Sequence, residues 1–280
     1  MALRVLAIDW SGAQQGARRT IWLAEVVEGH VSRLECGRDR RQVVDELVAL
    51  RRSGDELVAG LDFAFSLPAW YVRSCPASSG PELWDWLADE RGEEILAACP
   101  EPFWGRPGRR RPPSSPERPA FRRTEEITAA VARAGASGGP RSLPKSVFQI
   151  GGAGAVGTGS LRGMVELRRL RAAGFAIWPF DDPTLPLIVE IYPRALTGPV
   201  VKSSEDARRA YLDLHAYRDR MSPEALSKAE RSEDAFDASV SALVLGEHVT
   251  DLLRLPAVSD ERLRIEGIIW QPGWRERHEA

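Results

Sequence analysis

Apolar residues run almost without a break from Leu3 to Trp10 and again from Glu56 to Phe65. Runs of this length, lacking the polar alternation of a half-exposed strand, predict central strands covered on both faces. Each carries one acid near its C-terminal end, Asp9 and Asp62. Ser11-Gly12 breaks the first run, and the segments Thr20 to Val27 and His30 to Cys36, joined across Glu28-Gly29, predict a hairpin returning beside it. Asp39 to Arg52 has an apolar stripe at Val43, Val44, Leu47, Val48 and Leu50, closed by Gly54, and predicts a helix. Further helical patterns run through Trp70 to Arg73 and Pro81 to Asp89. Lys145 to Ile150 predicts another strand, followed by a glycine-rich turn, Gly151 to Gly159, that opens a helix from about Leu161 to Ala173. Phe175 to Phe180 and Ile265 to Trp270 add two short strand patterns, and Ser203 to Arg220 an amphipathic helix. Between Pro186 and Pro193 the β-branched run Leu187-Ile-Val-Glu-Ile-Tyr is interrupted by a single acid, Glu190, placed there for a purpose or facing solvent.

The segment Ser232 to Leu245 is apolar or small nearly all the way round at 3.6 residues per turn, which belongs inside a fold. Asp234 and Asp237, three apart, share a face with the small residues Ala238 and Ser241. One reading makes Asp234 an N-cap and Asp237 a first-turn acid favoured by the helix dipole. The other is that a buried carboxylate pair meets a compensating charge, because an isolated one is too costly to remove from water.

Composition narrows the choice. With 280 residues, 43% hydrophobic, the chain can bury a sizeable core, and the pattern is that of one domain with an insertion at 92–145. A net charge of −2 leaves no global positive field, so any contact with a polyanion falls to a local patch. The stretch Arg106 to Arg123 is such a patch, rich in Pro and Arg; it predicts a solvated loop or a phosphate-contacting flap. Cys36, Cys75 and Cys99 form no CxxC pair, and the four histidines show no ligand spacing, which argues against a disulfide framework or a zinc site and fits a reducing cytoplasm. No apolar run reaches membrane-spanning length and no leader pattern opens the chain.

The order strand with Asp9, hairpin, helix, strand with Asp62, insertion, strand with Glu190, helix with Asp234 and Asp237 resembles the ribonuclease H-like fold. More closely, the phrases Ala7-Ile-Asp-Trp-Ser-Gly, Gly60-Leu-Asp-Phe-Ala-Phe-Ser-Leu-Pro, Ser146-Val-Phe-Gln-Ile, Val189-Glu-Ile-Tyr-Pro-Arg-Ala, Asp234-Ala-Phe-Asp-Ala and Glu266-Gly-Ile-Ile-Trp resemble the domain of unknown function 429 family of predicted RNase H-like nucleases. The resemblance implies an α/β protein with a mixed five-stranded sheet flanked by helices. Asp62 departs from it, since the generic fold often has Glu as its second acid.

Carboxylates converging on one point repel by roughly 4 kcal/mol per close pair at an effective dielectric near 20. All-oxygen ligands suit Mg²⁺ or Mn²⁺ rather than zinc, and a pair of such ions about 3.5–4 Å apart can promote phosphodiester hydrolysis. The expected site is Asp9 as bridging ligand, Asp62 and Asp237 completing the metal pair, Glu190 as a further ligand or water-orienting base, and Asp234 as an alternate ligand or cap, with DNA or RNA as substrate. Two other readings compete. Asp9-Trp-Ser-Gly12 with the glycine-rich turn suits an ATP-binding protein or kinase of the actin-like superfamily, and the Arg/Pro stretch suits a noncatalytic adaptor. Monomer and homodimer are both compatible with the sequence.

Overall fold

The computed structural model describes residues 3–134 and 143–274. Its centre is a six-stranded mixed sheet with the order β3-β2-β1-β4-β6-β5. The strands are β1 (Arg4–Asp9), β2 (Trp22–Val27), β3 (His30–Glu35), β4 (Leu57–Leu61), β5 (Ala176–Ile177) and β6 (Leu187–Glu190). β1 pairs antiparallel with β2, and β2 with β3, as the hairpin pattern predicts. β4 lies parallel to β1, and β6 parallel to both β4 and β5. The helices are α1 (Ala17–Thr20), α2 (Arg40–Arg52), α3 (Ala69–Ser74), α4 (Gly80–Ala88), α5 (Arg91–Ala98), α6 (Arg123–Ala134) and α7 (Gly157–Ala172) in the first part of the chain. The second part adds α8 (Pro193–Thr197), α9 (Glu205–Leu214), α10 (Pro223–Arg231), α11 (Glu233–Glu247), α12 (Val249–Leu252) and α13 (Glu261–Glu266). Among the described residues no helix is long and apolar enough to cross a membrane.

Side chains alternate across the sheet and build two cores. Leu6 and Ile8 of β1, Leu57, Ala59 and Leu61 of β4 and Ile188 of β6 pack with Val43, Val44 and Leu47 of α2, Leu83 and Leu87 of α4, and Leu161, Met164, Leu167 and Leu170 of α7. On the other face, Val5, Ala7, Val58, Leu187 and Val189 meet Phe236, Val240, Leu243 and Leu245 of α11, together with Leu212, Ala229 and Leu263. α11 is buried continuously from Ala235 to Leu245, which is why it is apolar all round. It sits close to the sheet because Gly60 has no side chain there: a Cβ would stand 2.7 Å from Leu245 Cδ1 and 2.8 Å from Ile191 Cγ2. Gly60→Ala is accordingly expected to lower the unfolding free energy by about 1–3 kcal/mol through overpacking, readable by urea titration; an unchanged midpoint would show that α11 can retreat without loss.

Several local expectations change. Six strands stand where five were expected, because part of Phe175 to Phe180 pairs with β6 at the edge and stops before Pro179, which has no N–H for the ladder. Lys145 to Ile150 is a turn rather than a strand; Gln149 N bonds Ser146 O (3.0 Å), and Trp104 claims the remaining partners through Trp104 N to Phe148 O (3.0 Å) and Ile150 N to Trp104 O (2.9 Å). Ile265 to Trp270 begins as helix, since Asp260 accepts from Leu263 N (2.9 Å) and starts α13. Past the end of α13 a single bridge joins Ile269 to Glu190. The amphipathic stretch from Ser203 breaks after α9, where Ala216 takes a positive φ of 54°. Within 92–145 the chain forms most of α5 and all of α6, and residues 135–142 lie outside the described residues.

Candidate functional site

Strand register brings the first two acids together. Ile8 lies opposite Leu61, and the pairing continues through Asp62 N to Ile8 O (3.0 Å), so Asp9 and Asp62 stand side by side at the C-terminal edge of adjacent parallel strands. Two-residue periodicity turns both toward the face of Val5, Ala7 and Val58, the face α11 covers. The first two turns of α11 lie over this edge and supply Asp237 and Asp234. Ser232, not Asp234, caps that helix, accepting from Ala235 N (3.2 Å); Asp234 is thereby free of the cap role. The four aspartates interact as one group. Burial raises the Asp9 pKa well above the ordinary range, and Asp62, Asp237 and Asp234 raise it further. Burial and then Asp237 push Asp62 up to about 7, while a hydrogen bond with Asp9 pulls the other way. Asp237 and Asp234 are also raised, first by burial.

A cation that the sequence did not single out answers them. Lys202 Nζ donates to Asp237 Oδ2, and the lysine also opposes the shifts of Asp9, Asp62 and Asp234. Its backbone is held where it stands, because Arg208 donates to Lys202 O while binding Glu230 O (2.9 Å from Nε). One lysine does not satisfy the group: Asp237 Oδ1 is buried with no hydrogen-bond partner among the described residues. Among the described residues no three carboxylate, His or Cys side chains already form a set able to hold a metal ion.

Glu190 borders the same cleft as Asp62 and its charge helps raise the Asp62 pKa, but it leaves the sheet on the other face. Leu61 lies opposite Glu190, one residue short of Asp62, so alternation gives Glu190 the opposite face of the sheet from Asp62. There both its oxygens are taken: Arg122 Nη2 donates to Oε1 (2.6 Å), and Arg122 Nη1 and Phe65 N donate to Oε2 (2.9 Å each). With both oxygens engaged, Glu190 positions the turn after Asp62. Arg122 is itself buried, donating also to Glu125 Oε1 (3.0 Å) and Glu266 O (3.0 Å). Burial alone would lower its pKa, but Glu190 and Glu125 more than offset this and keep it charged. Together with Ser160 Oγ, which accepts from Ala64 N (3.1 Å), and Trp84 Nε1, which donates to Phe65 O (2.7 Å), Glu190 fixes the turn that follows Asp62.

A cleft of about 180 Å³ opens beside Asp62, lined by Trp10, Gly12, Arg122, Glu125, Lys145 and Glu190 among others. The glycine-rich turn borders it. Gly151, Gly157 and Gly159 serve packing, while Gly152 and Gly154 take positive φ. A Cβ on Gly12 would come 2.5 Å from Gly159 N, so the turn after β1 and the start of α7 touch through their backbones. Arg40 Nη1 pins the same turn through Ser11 O (2.8 Å) and Ala13 O (2.9 Å). No family model matches the chain, and no significant match was found among curated proteins or solved structures.

Lys202 and Arg122 are the residues that sequence reasoning missed as individuals. One signal was available for the first: the chain has three lysines among 38 basic residues, and an ammonium is a compact point charge where a guanidinium is a fork. Two of those three, Lys145 and Lys202, stand beside the aspartates or the adjoining cleft.

The raised aspartates predict a pH dependence. Asp62 titrates near 7 in the fold and near 3.8 in the unfolded chain, so the unfolded state releases its proton first as pH rises. The contribution to stability is present below about pH 4 and is lost as pH climbs through 7. In chelator, the melting temperature of the wild type is expected to fall relative to Asp62→Asn between pH 5 and 8; parallel curves would contradict it.

Proposed function

We propose that the protein is a metal-dependent nuclease of the ribonuclease H-like type, hydrolysing phosphodiester bonds at Asp9, Asp62 and Asp237. The observation that carries the reading is the convergence of three aspartates from β1, the end of β4 and α11 beside Lys202, with Arg194 the other cation acting on Asp237. A cluster so under-neutralised is built to receive more positive charge. The donor set fits a hard divalent cation such as Mg²⁺ or Mn²⁺, being all carboxylate, and the buried Asp237 Oδ1, without a hydrogen-bond partner among the described residues, could donate to one. Asp9, Asp62 and Asp237 would hold it, with Asp234 as the acid next in reach. A bound cation would supply neutralisation, polarisation of a phosphodiester oxygen and a more acidic water.

The chain's own residues do the rest. Lys202 balances Asp237 in the resting protein. Glu190, through Phe65 N and Arg122, fixes the turn that aims Asp62. Arg40 holds the turn after Asp9. The fold reading is supported by the order β3-β2-β1-β4-β6 with an antiparallel hairpin and acids at the strand ends, β5 being an addition at the edge. A cytoplasmic setting is consistent with three free cysteines. The test is direct: incubate the protein with labelled single-stranded, duplex, hybrid and branched substrates in Mg²⁺ and in Mn²⁺. Chelator-sensitive cleavage of one of them is expected; inertness on all, with both ions, would end the proposal.

A further inference from the structure

The arginines of the loop Arg106–Arg118 take no part in the site just described. Arg106, Arg109, Arg110, Arg111 and Arg118 are exposed and make no ion pair among the described residues, and Glu117, the acid among them, is occupied by Ser115. Five prolines from Pro107 to Pro119 restrict the backbone. Two of the guanidiniums already lie on aromatic faces: Arg111 is 5.3 Å from the Trp104 and Phe121 ring centroids, and Arg118 is 5.7 Å from Trp70. Stacking holds the plane of a guanidinium and leaves N–H groups at its edge for an anion. Beneath the loop lies a cavity of about 400 Å³ walled by Trp70, Tyr71, Trp104, Phe148 and the loop's own prolines. Trp70 and Tyr71 are only half-buried, and Pro119 O fixes the indole by accepting from Trp70 Nε1 (2.9 Å).

The loop is tied at both ends to the cleft beside Asp62. Gly105, where it begins, is pressed against Gly151 of the turn that runs on to line the cleft, and Arg122, where it ends, lines the cleft itself. Ser146, next to the cleft residue Lys145, donates to Ala120 O. We infer that this loop and its aromatic cavity bind a single-stranded polynucleotide, the arginines contacting successive phosphates and the cavity taking an unpaired base, and so deliver a strand to the aspartates. A row of cations beside aromatic faces is what an unpaired strand requires, since every base has a face to stack while duplex bases are already stacked. The inference rests on the nuclease reading for its purpose but not for its test.

Binding is read by fluorescence anisotropy with labelled DNA and RNA single strands and the matching duplexes, using the cleavage-deficient Asp9→Asn protein. Single strands are expected to bind at least about tenfold tighter than duplex. Replacing Arg109, Arg110 and Arg111 by Ala should weaken single-strand binding about 10- to 100-fold and flatten the log Kd against log salt slope by about 2. Replacing the three by Lys should restore most of the slope, and Trp70→Phe should keep affinity better than Trp70→Ala. Unchanged melting temperatures of the loop variants exclude misfolding. A triple Ala variant with unaltered affinity and slope, a preference for duplex, or equal competition by polyglutamate would overturn the inference, and in the first case cleavage could persist and leave the nuclease reading intact. Loop-dependent single-strand binding without metal-dependent cleavage would support this surface while removing the catalytic proposal.

Discussion

Asp9→Asn is expected to reduce the proposed Mg²⁺- or Mn²⁺-dependent phosphodiester cleavage by about 10³-fold or more, since it removes the carboxylate proposed to hold the ion at the centre of a unit that acts together. The same substitution should make the cation-free protein more stable at pH 8. Asp9 is the acid on which the other three converge, and burial with their charge lifts its pKa well above the ordinary value. Its ionised form is therefore a liability of the fold that grows as pH rises above the unfolded value, and the neutral amide removes it. The pairing of effects separates a site from a scaffold: activity lost and stability gained from one amide. Single-turnover cleavage and thermal melts in chelator measure both. An Asn variant that cleaves at the wild-type rate, or that melts well below the wild type at pH 8, would contradict the role given to Asp9.

Arg122→Met is expected to cost about 3–5 kcal/mol of unfolding free energy, the loss typical of a buried ion pair deprived of one partner. The guanidinium satisfies Glu190 through two hydrogen bonds, Glu125 through one and the Glu266 carbonyl through another, all out of contact with water. Glu125, already pushed up to about 7 by burial, would take a proton when left alone, whereas Glu190 would be stranded against Phe65 N. Adding Glu190→Gln should recover part of the loss, which a double-mutant cycle by urea denaturation would show. A cost below about 1 kcal/mol for the single change, or strict additivity of the pair, would mean that the network is looser than its geometry.

The contrast between Asp62 and Glu190 shows how far local pattern reaches. Both were visible as lone acids at the ends of apolar strands, and both lie at the same sheet edge. Which face each acid takes depends on the register between β4 and β6, and that register places Leu61, not Asp62, opposite Glu190. A shift of one residue separates a cluster member from the anchor of a turn. Lys202 was less legible still. It lies between Val201 and Ser203 in a connection without periodicity, and its importance comes from Arg208 holding its carbonyl and Asp237 standing opposite. The glycines of 151–159 were legible as special but not in kind: their pattern suited a phosphate turn, and the structure uses Gly159 for contact with Gly12.

The amino-acid order by itself determined the buried strands with Asp9 and Asp62 at their ends, the hairpin between them and the wholly buried helix with its two aspartates. Each comes from periodicity and breakers within a dozen residues, where local free energy decides. The companions of those acids were decided only in three dimensions. Strand register and helix docking are fixed by packing among residues far apart in the chain, and that packing, rather than any local preference, brought a lysine to Asp237 and an arginine to Glu190.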